Sequence, residues 1–98
     1  MLTIREIEQI IIDNKSSLER DFGLKKIGIF GSYIKSNQTD KSDIDIIVEL
    51  SQPMGFVKFI KLENHLSDLL NAKVDLVTPK ALKPFIGKRI LEEVQYVG

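Results

Sequence analysis

The eight residues from Asp43 to Leu50, DIDIIVEL, constrain this chain more than any other segment. They read as a β-strand. Side chains alternate along an extended backbone, so Ile44, Ile46 and Val48 share one face while Asp43, Asp45 and Ile47 share the other. Such a strand requires neighbours to pair with and an apolar layer to cover it. It also opens with two acids on one face of an otherwise apolar run. Paired carboxylates repel unless something positive lies near them.

The rest of the chain supplies the neighbours and the layer. Thr3 and Glu6, in TIRE, form a capping box. Ile4, Ile7, Ile11 and Leu18 recur at helical spacing, which predicts a helix from about Ile4 to about Arg20, stopped at Gly23. LKKIGIF predicts a short strand broken at Gly31, SYIKS a short helix, and NQTDKS a turn. Phe56, Phe59, Ile60, Leu62, Leu66, Leu69 and Leu70 predict a helix between Gly55 and Asn71. KVDLVT is a third strand. Pro79 suits the first turn of a helix after Thr78. The remaining residues predict one short helix broken near Pro84 to Gly87 and a last one through Ile90, Leu91 and Val94. Phe22, Phe30, Phe56 and Phe59 read as core.

The order is therefore α, β, short α, β, α, β, α. A helical crossover joins the second and third strands and favours parallel pairing, whereas the short link between the first and second favours an antiparallel pair. The fold class is α/β in the α+β sense: a small mixed sheet of about three strands with helices packed on it.

A chain of 98 residues suits one domain over residues 1–98. Lys and Arg number 14, as do Asp and Glu, so the formal net charge is zero and the basic footprint of a nucleic-acid binder is missing. The chain has no cysteine, which excludes disulfides and thiolate metal sites. No apolar run approaches the roughly 20 residues of a membrane span. The start, MLTIREIEQIII, carries acids and no cleavage site. A cytoplasmic protein without membrane association is expected. His65 lies among polar residues and leucines on the second helix and has no second histidine to share a metal with.

Read alone, Asp43 and Asp45 end a strand and cap a turn. Their functional reading is a site for a hard cation, since magnesium is held by one or two carboxylates together with substrate phosphates. Gly31-Ser32, read alone, is a turn. It also allows close approach of backbone to a phosphate, with the Ser32 hydroxyl and the following N–H groups as donors. If strands one and two are antiparallel, Gly31, Ser32, Asp43 and Asp45 meet at one edge. Asp75, between Val74 and Leu76 in VDLV, is either a solvated edge position or a third acid on the same face. This layout suits phosphoryl or nucleotidyl transfer.

Gly31-Ser32, the ten residues 33–42 and Asp43-Ile44-Asp45 together resemble the G-S-x10-D-x-D signature of the minimal nucleotidyltransferases, in the DNA polymerase beta superfamily. The downstream NAKVDLVTPKALKPFIGKRILEEVQYV is similar to the usual ending of these small proteins. The resemblance implies the palm-like nucleotidyltransferase fold. It implies that Gly31 and Ser32 hold a triphosphate, that Asp43, Asp45 and Asp75 bind two magnesium ions, and that Asp75 also polarises the acceptor. ATP is the implied donor. The sequence departs from the family after Gly-Ser, where YIKS replaces a small, basic stretch ending in glycine; Lys35 keeps a cation for the phosphates and Ser36 stands in the glycine position.

Minimal members pair with small helical HEPN-type toxins, so the resemblance implies an antitoxin that places AMP on a toxin hydroxyl, a tyrosine in some members. With no acceptor domain, the acceptor is expected on a partner or across a homo-oligomer. Phe85, Lys88, Arg89 and Tyr96 are a candidate docking face, or else core and a solvated helix. Tyr33 is a candidate for stacking on the base. Two other readings compete: a non-catalytic antitoxin acting by contact, and an adenylyltransferase for small molecules.

Overall fold

The computed structural model describes residues 2–34, 43–81 and 84–98; at positions 32, 81, 84–87 and 89 it describes the backbone alone. Helix α1 spans Ile4–Phe22. The capping box forms as its sequence implies: the Glu6 N–H donates to the Thr3 hydroxyl at 3.2 Å, and the Thr3 N–H donates to Glu6 Oε1 at 3.0 Å. Gly23 ends the helix in the left-handed region, with φ 68°. Strand β1 follows over Leu24–Phe30, then a 3-10 turn over Gly31–Tyr33, strand β2 over Ile44–Leu50 and helix α2 over Phe56–Leu70. Strand β3 spans Val74–Val77 and is followed by a 3-10 turn at Pro79–Ala81, helix α3 over Pro84–Glu93 and strand β4 over Gln95–Tyr96.

The sheet has four strands in the order β3-β2-β1-β4. β1 pairs antiparallel with β2 and with β4, and β2 pairs parallel with β3. The mixed sheet and both expected pairings are present. The strand count is one higher than expected, because residues 95–96 join β1 instead of trailing the last helix. A two-residue strand has no period of its own; the free edge of β1 makes it a strand.

One apolar layer joins both long helices to one face of the sheet. Ile7, Ile11 and Leu18 of α1 and Leu62, Leu66 and Leu70 of α2 pack with Ile27, Ile29, Ile44, Ile46, Val48, Val74 and Leu76. β2 lies at the centre, and Ile47, on the other face, is also buried. Burying a residue of this kind contributes roughly 1.5–3 kcal/mol, so the layer holds β2 and its register firmly.

β3 is an edge strand, and α2 covers its outward amides. The Val74 N–H donates to Ser67 Oγ at 3.2 Å and the Leu76 N–H to Glu63 Oε2 at 3.1 Å. The edge is thus closed to further strands, and Asp75, between those two residues, is held in place.

Three sequence expectations need correction. α3 runs unbroken through Pro84 to Gly87. Proline at the first helical position loses an N–H that had no partner there, and an interior glycine costs only about 1 kcal/mol. Phe56 is 78% exposed and is not core; it opens α2, off the stripe formed by Leu62, Leu66 and Leu70. Where SYIKS is expected to start a short helix, the described residues form a 3-10 turn over Gly31–Tyr33, and Lys35 and Ser36 lie outside the described residues.

Candidate active site

The pairing of β1 with β2 sets Phe30 opposite Asp45, so the Gly31 turn adjoins the acid-bearing start of β2. Gly31 has φ +76°, a region that favours glycine. A β-carbon built there would overlap the Asp45 carboxylate and stand 2.9 Å from its Cγ. Position 31 therefore has to be glycine for two independent reasons. The second differs from the expected one, close approach of a phosphate: the missing side chain makes room for Asp45.

The parallel register between β2 and β3 places Asp45 beside Asp75. Residues paired across a sheet share a face, and Asp43 precedes Asp45 by two, so all three acids share one face. Their burial is graded: Asp43 and Asp45 are half-buried and Asp75 is exposed. Among the described residues, no three His, Cys, Asp or Glu side chains close into a metal-binding group. The acids are aligned by the backbone without being drawn together. All three are hard oxygen donors, which fits magnesium and suits soft metals poorly.

One cation lies at this cluster that the sequence reasoning missed. Lys73 Nζ stands 3.7 Å from Asp43 Oδ2. The signal was present in the period of two, since Lys73 precedes Asp75 by two residues and shares its face.

Other expected residues fall as follows. Ser32 is in the middle of the 3-10 turn, with its side chain outside the described atoms; Lys35 and Ser36 lie outside the described residues. Tyr33 is 5% exposed and belongs to the apolar core, so it does not offer a stacking face. Lys88 and Tyr96 of the candidate docking face are exposed, while the side chains of Phe85 and Arg89 are not described. His65 packs on Phe22, with ring centroids 5.6 Å apart. A cleft of about 710 Å³ lies between the end of β2, the start of α2 and Thr78–Lys80. It begins three residues beyond Asp45, about 10 Å along the strand, at the end of the sheet opposite the acids.

A family model described as a nucleotidyltransferase domain matches residues 11–97. The protein adenylyltransferase MntA of Thermococcus cleftensis is 44% identical over 97 residues, covering 99% of this chain and 98% of that protein. A solved toxin–antitoxin structure with AMP-PNP superposes with a TM-score of 0.73 at 28% identity, over 91% of this chain and 70% of that one. The fold is also that of a chain in the complex of a tri-AMPylated Shewanella oneidensis HEPN toxin with its MNT antitoxin, with a TM-score of 0.65 at 24% identity over 91% of this chain and 70% of that one.

Proposed function

The chain belongs to the nucleotidyltransferase domain family, and from that premise we infer that it transfers AMP from ATP to a hydroxyl, a tyrosine, of a HEPN-type toxin and so acts as its antitoxin. The observation that carries this reading is the register of β2 and β3, which aligns Asp45 with Asp75 on the face that also bears Asp43, beside the Gly31 turn. Support for the acceptor comes from the relative named as a protein adenylyltransferase and from the toxin–antitoxin complexes of the same fold.

Asp43, Asp45 and Asp75 would hold two magnesium ions, which supply charge neutralisation at the phosphate oxygens and acidify the acceptor hydroxyl. The Gly31-Ser32 turn, with Lys35 beyond it, binds and orients the triphosphate. Asp75, the most exposed of the three acids, faces the arriving hydroxyl and takes its proton. The acceptor oxygen bonds to the α-phosphorus, the bond from that phosphorus to the bridging oxygen breaks, and pyrophosphate leaves. Positioning and electrostatics account for most of the acceleration in such a step. The partner presents the acceptor, with Lys88 and Tyr96 on the docking face. No helix among the described residues is long and apolar enough to cross a membrane, in keeping with a cytoplasmic setting.

The test is incubation of the chain and its toxin partner with magnesium and ATP labelled at the α-phosphate, alongside an Asp45→Ala variant. A labelled toxin band that requires magnesium and vanishes in the variant is the expected result. An unlabelled toxin that is nevertheless bound and neutralised would replace this reading with the contact-only antitoxin.

A further inference from the structure

Asp43, Asp45, Lys73 and Asp75 form a two-by-two block on one face of the sheet. Asp45 pairs with Asp75, and Asp43 and Lys73 each precede the first registered pair, Ile44 with Val74, by one residue. The Ile44 N–H donates to the Lys73 carbonyl at 2.9 Å, so backbone pairing fixes the two side chains as neighbours. The block brings three acids and one lysine together. Like charges side by side across strands oppose pairing. Lys73, 3.7 Å from Asp43, offsets that repulsion with no bound ion.

We propose that Lys73 is the resting counter-ion of Asp43 in this acid block and competes with the divalent cation for it. The inference rests on reading the acids as a metal site. A divalent cation on Asp43 repels an ammonium 3.7 Å from that carboxylate, so its binding displaces Lys73. The lysine side chain is 80% exposed and ends a flexible stem, so it withdraws at little cost. Asp43 thereby exchanges one counter-ion for another and keeps one in both states. Lys73 is thus a positioning residue that acts through Asp43.

The experiment measures Mn2+ binding to the full chain by calorimetry, in wild type, K73M, K73R and K80M, together with thermal melting in EDTA. K80M removes the same charge from an exposed position after β3, at the cleft by the far end of β2 from the acids. K73M is expected to bind Mn2+ about two- to fivefold more tightly, the range for an exposed ion pair, and to melt lower than wild type in EDTA. K73R and K80M are expected to stay within about twofold of wild-type affinity. Affinity in K73M equal to that of K80M, or weaker than wild type, overturns the proposal, as does an unchanged or raised melting point in EDTA. Wild-type chain that binds no Mn2+ overturns the metal reading and this inference together, whereas normal wild-type binding with an unaltered K73M overturns this inference alone.

Discussion

The Asp45 carboxylate occupies the space that a β-carbon of residue 31 would need, so its approach to the turn exists because position 31 is glycine. The φ of +76° makes the same demand on the backbone. Gly31→Ala is expected to destabilise the chain by about 1–3 kcal/mol. AMP transfer should fall by roughly 100-fold, because a displaced carboxylate no longer positions the reacting groups. Urea denaturation and initial transfer rates test the two effects separately; a variant with normal rates would show that the contact is not part of the site.

Asp75 stands beside Asp45 and is exposed, so its cost and its use are separable. Asp75→Asn should lower the transfer rate by about 100-fold or more, the range for a lost general base. The melting temperature should hold or rise slightly, because one of two adjacent like charges is gone. A large loss of stability would instead mark Asp75 as a structural residue.

Glu63 reaches from α2 to the Leu76 N–H, one residue from Asp75. Glu63→Ala leaves that edge amide without its carboxylate and should cost about 1–2 kcal/mol. Glu63→Gln retains an acceptor and should recover most of the loss. Hydrogen exchange at Leu76 is the direct measurement, with faster exchange expected in the alanine variant only.

The helix cap gives a pH dependence. Glu6 has its carboxyl held below the ordinary glutamate range, first by the Thr3 backbone N–H and then by the Thr3 hydroxyl. A group with a lowered folded pKa stabilises the fold above its unfolded pKa, and that contribution is lost as pH falls through the folded value. Wild type should therefore exceed Glu6→Gln in stability at neutral pH and converge with it below the glutamate range. Thr3→Ala should cost about 1 kcal/mol at neutral pH. Melting curves across acid pH check both.

Tyr33 is core, which separates two roles for an aromatic next to the Gly-Ser turn. Tyr33→Phe should keep both stability and ATP affinity. Tyr33→Ala should destabilise by about 3–5 kcal/mol, as for other large-to-small core changes. A fall in ATP affinity in Tyr33→Leu, which keeps apolar bulk and removes the ring, with stability intact, would restore the stacking role.

Legibility in the sequence followed the range of the interaction involved. The strand at Asp43–Leu50, the capping box at Thr3 and Glu6, and the stop at Gly23 are local and were readable from period and cap chemistry. Asp43 and Asp45 share a face by alternation alone. Phe56 reads as core from composition and is exposed, while Tyr33, a candidate for stacking, is buried, because the packing of α1, α2 and the sheet decides which aromatic is covered. β4 went unseen because two residues carry no pattern.

The sequence by itself determined the long helices, the first three strands, the Gly-Ser and D-x-D motifs, and the family they belong to, because each depends on patterns local in the chain. Only the tertiary structure decided that Asp75 lies beside Asp45, that Lys73 lies beside Asp43, and that Asp45 fills the space left at Gly31. Those three relationships depend on strand register, and the apolar layer under β2 sets that register: a slip of one residue would turn Ile44, Ile46 and Val48 out of the core and the acids into it.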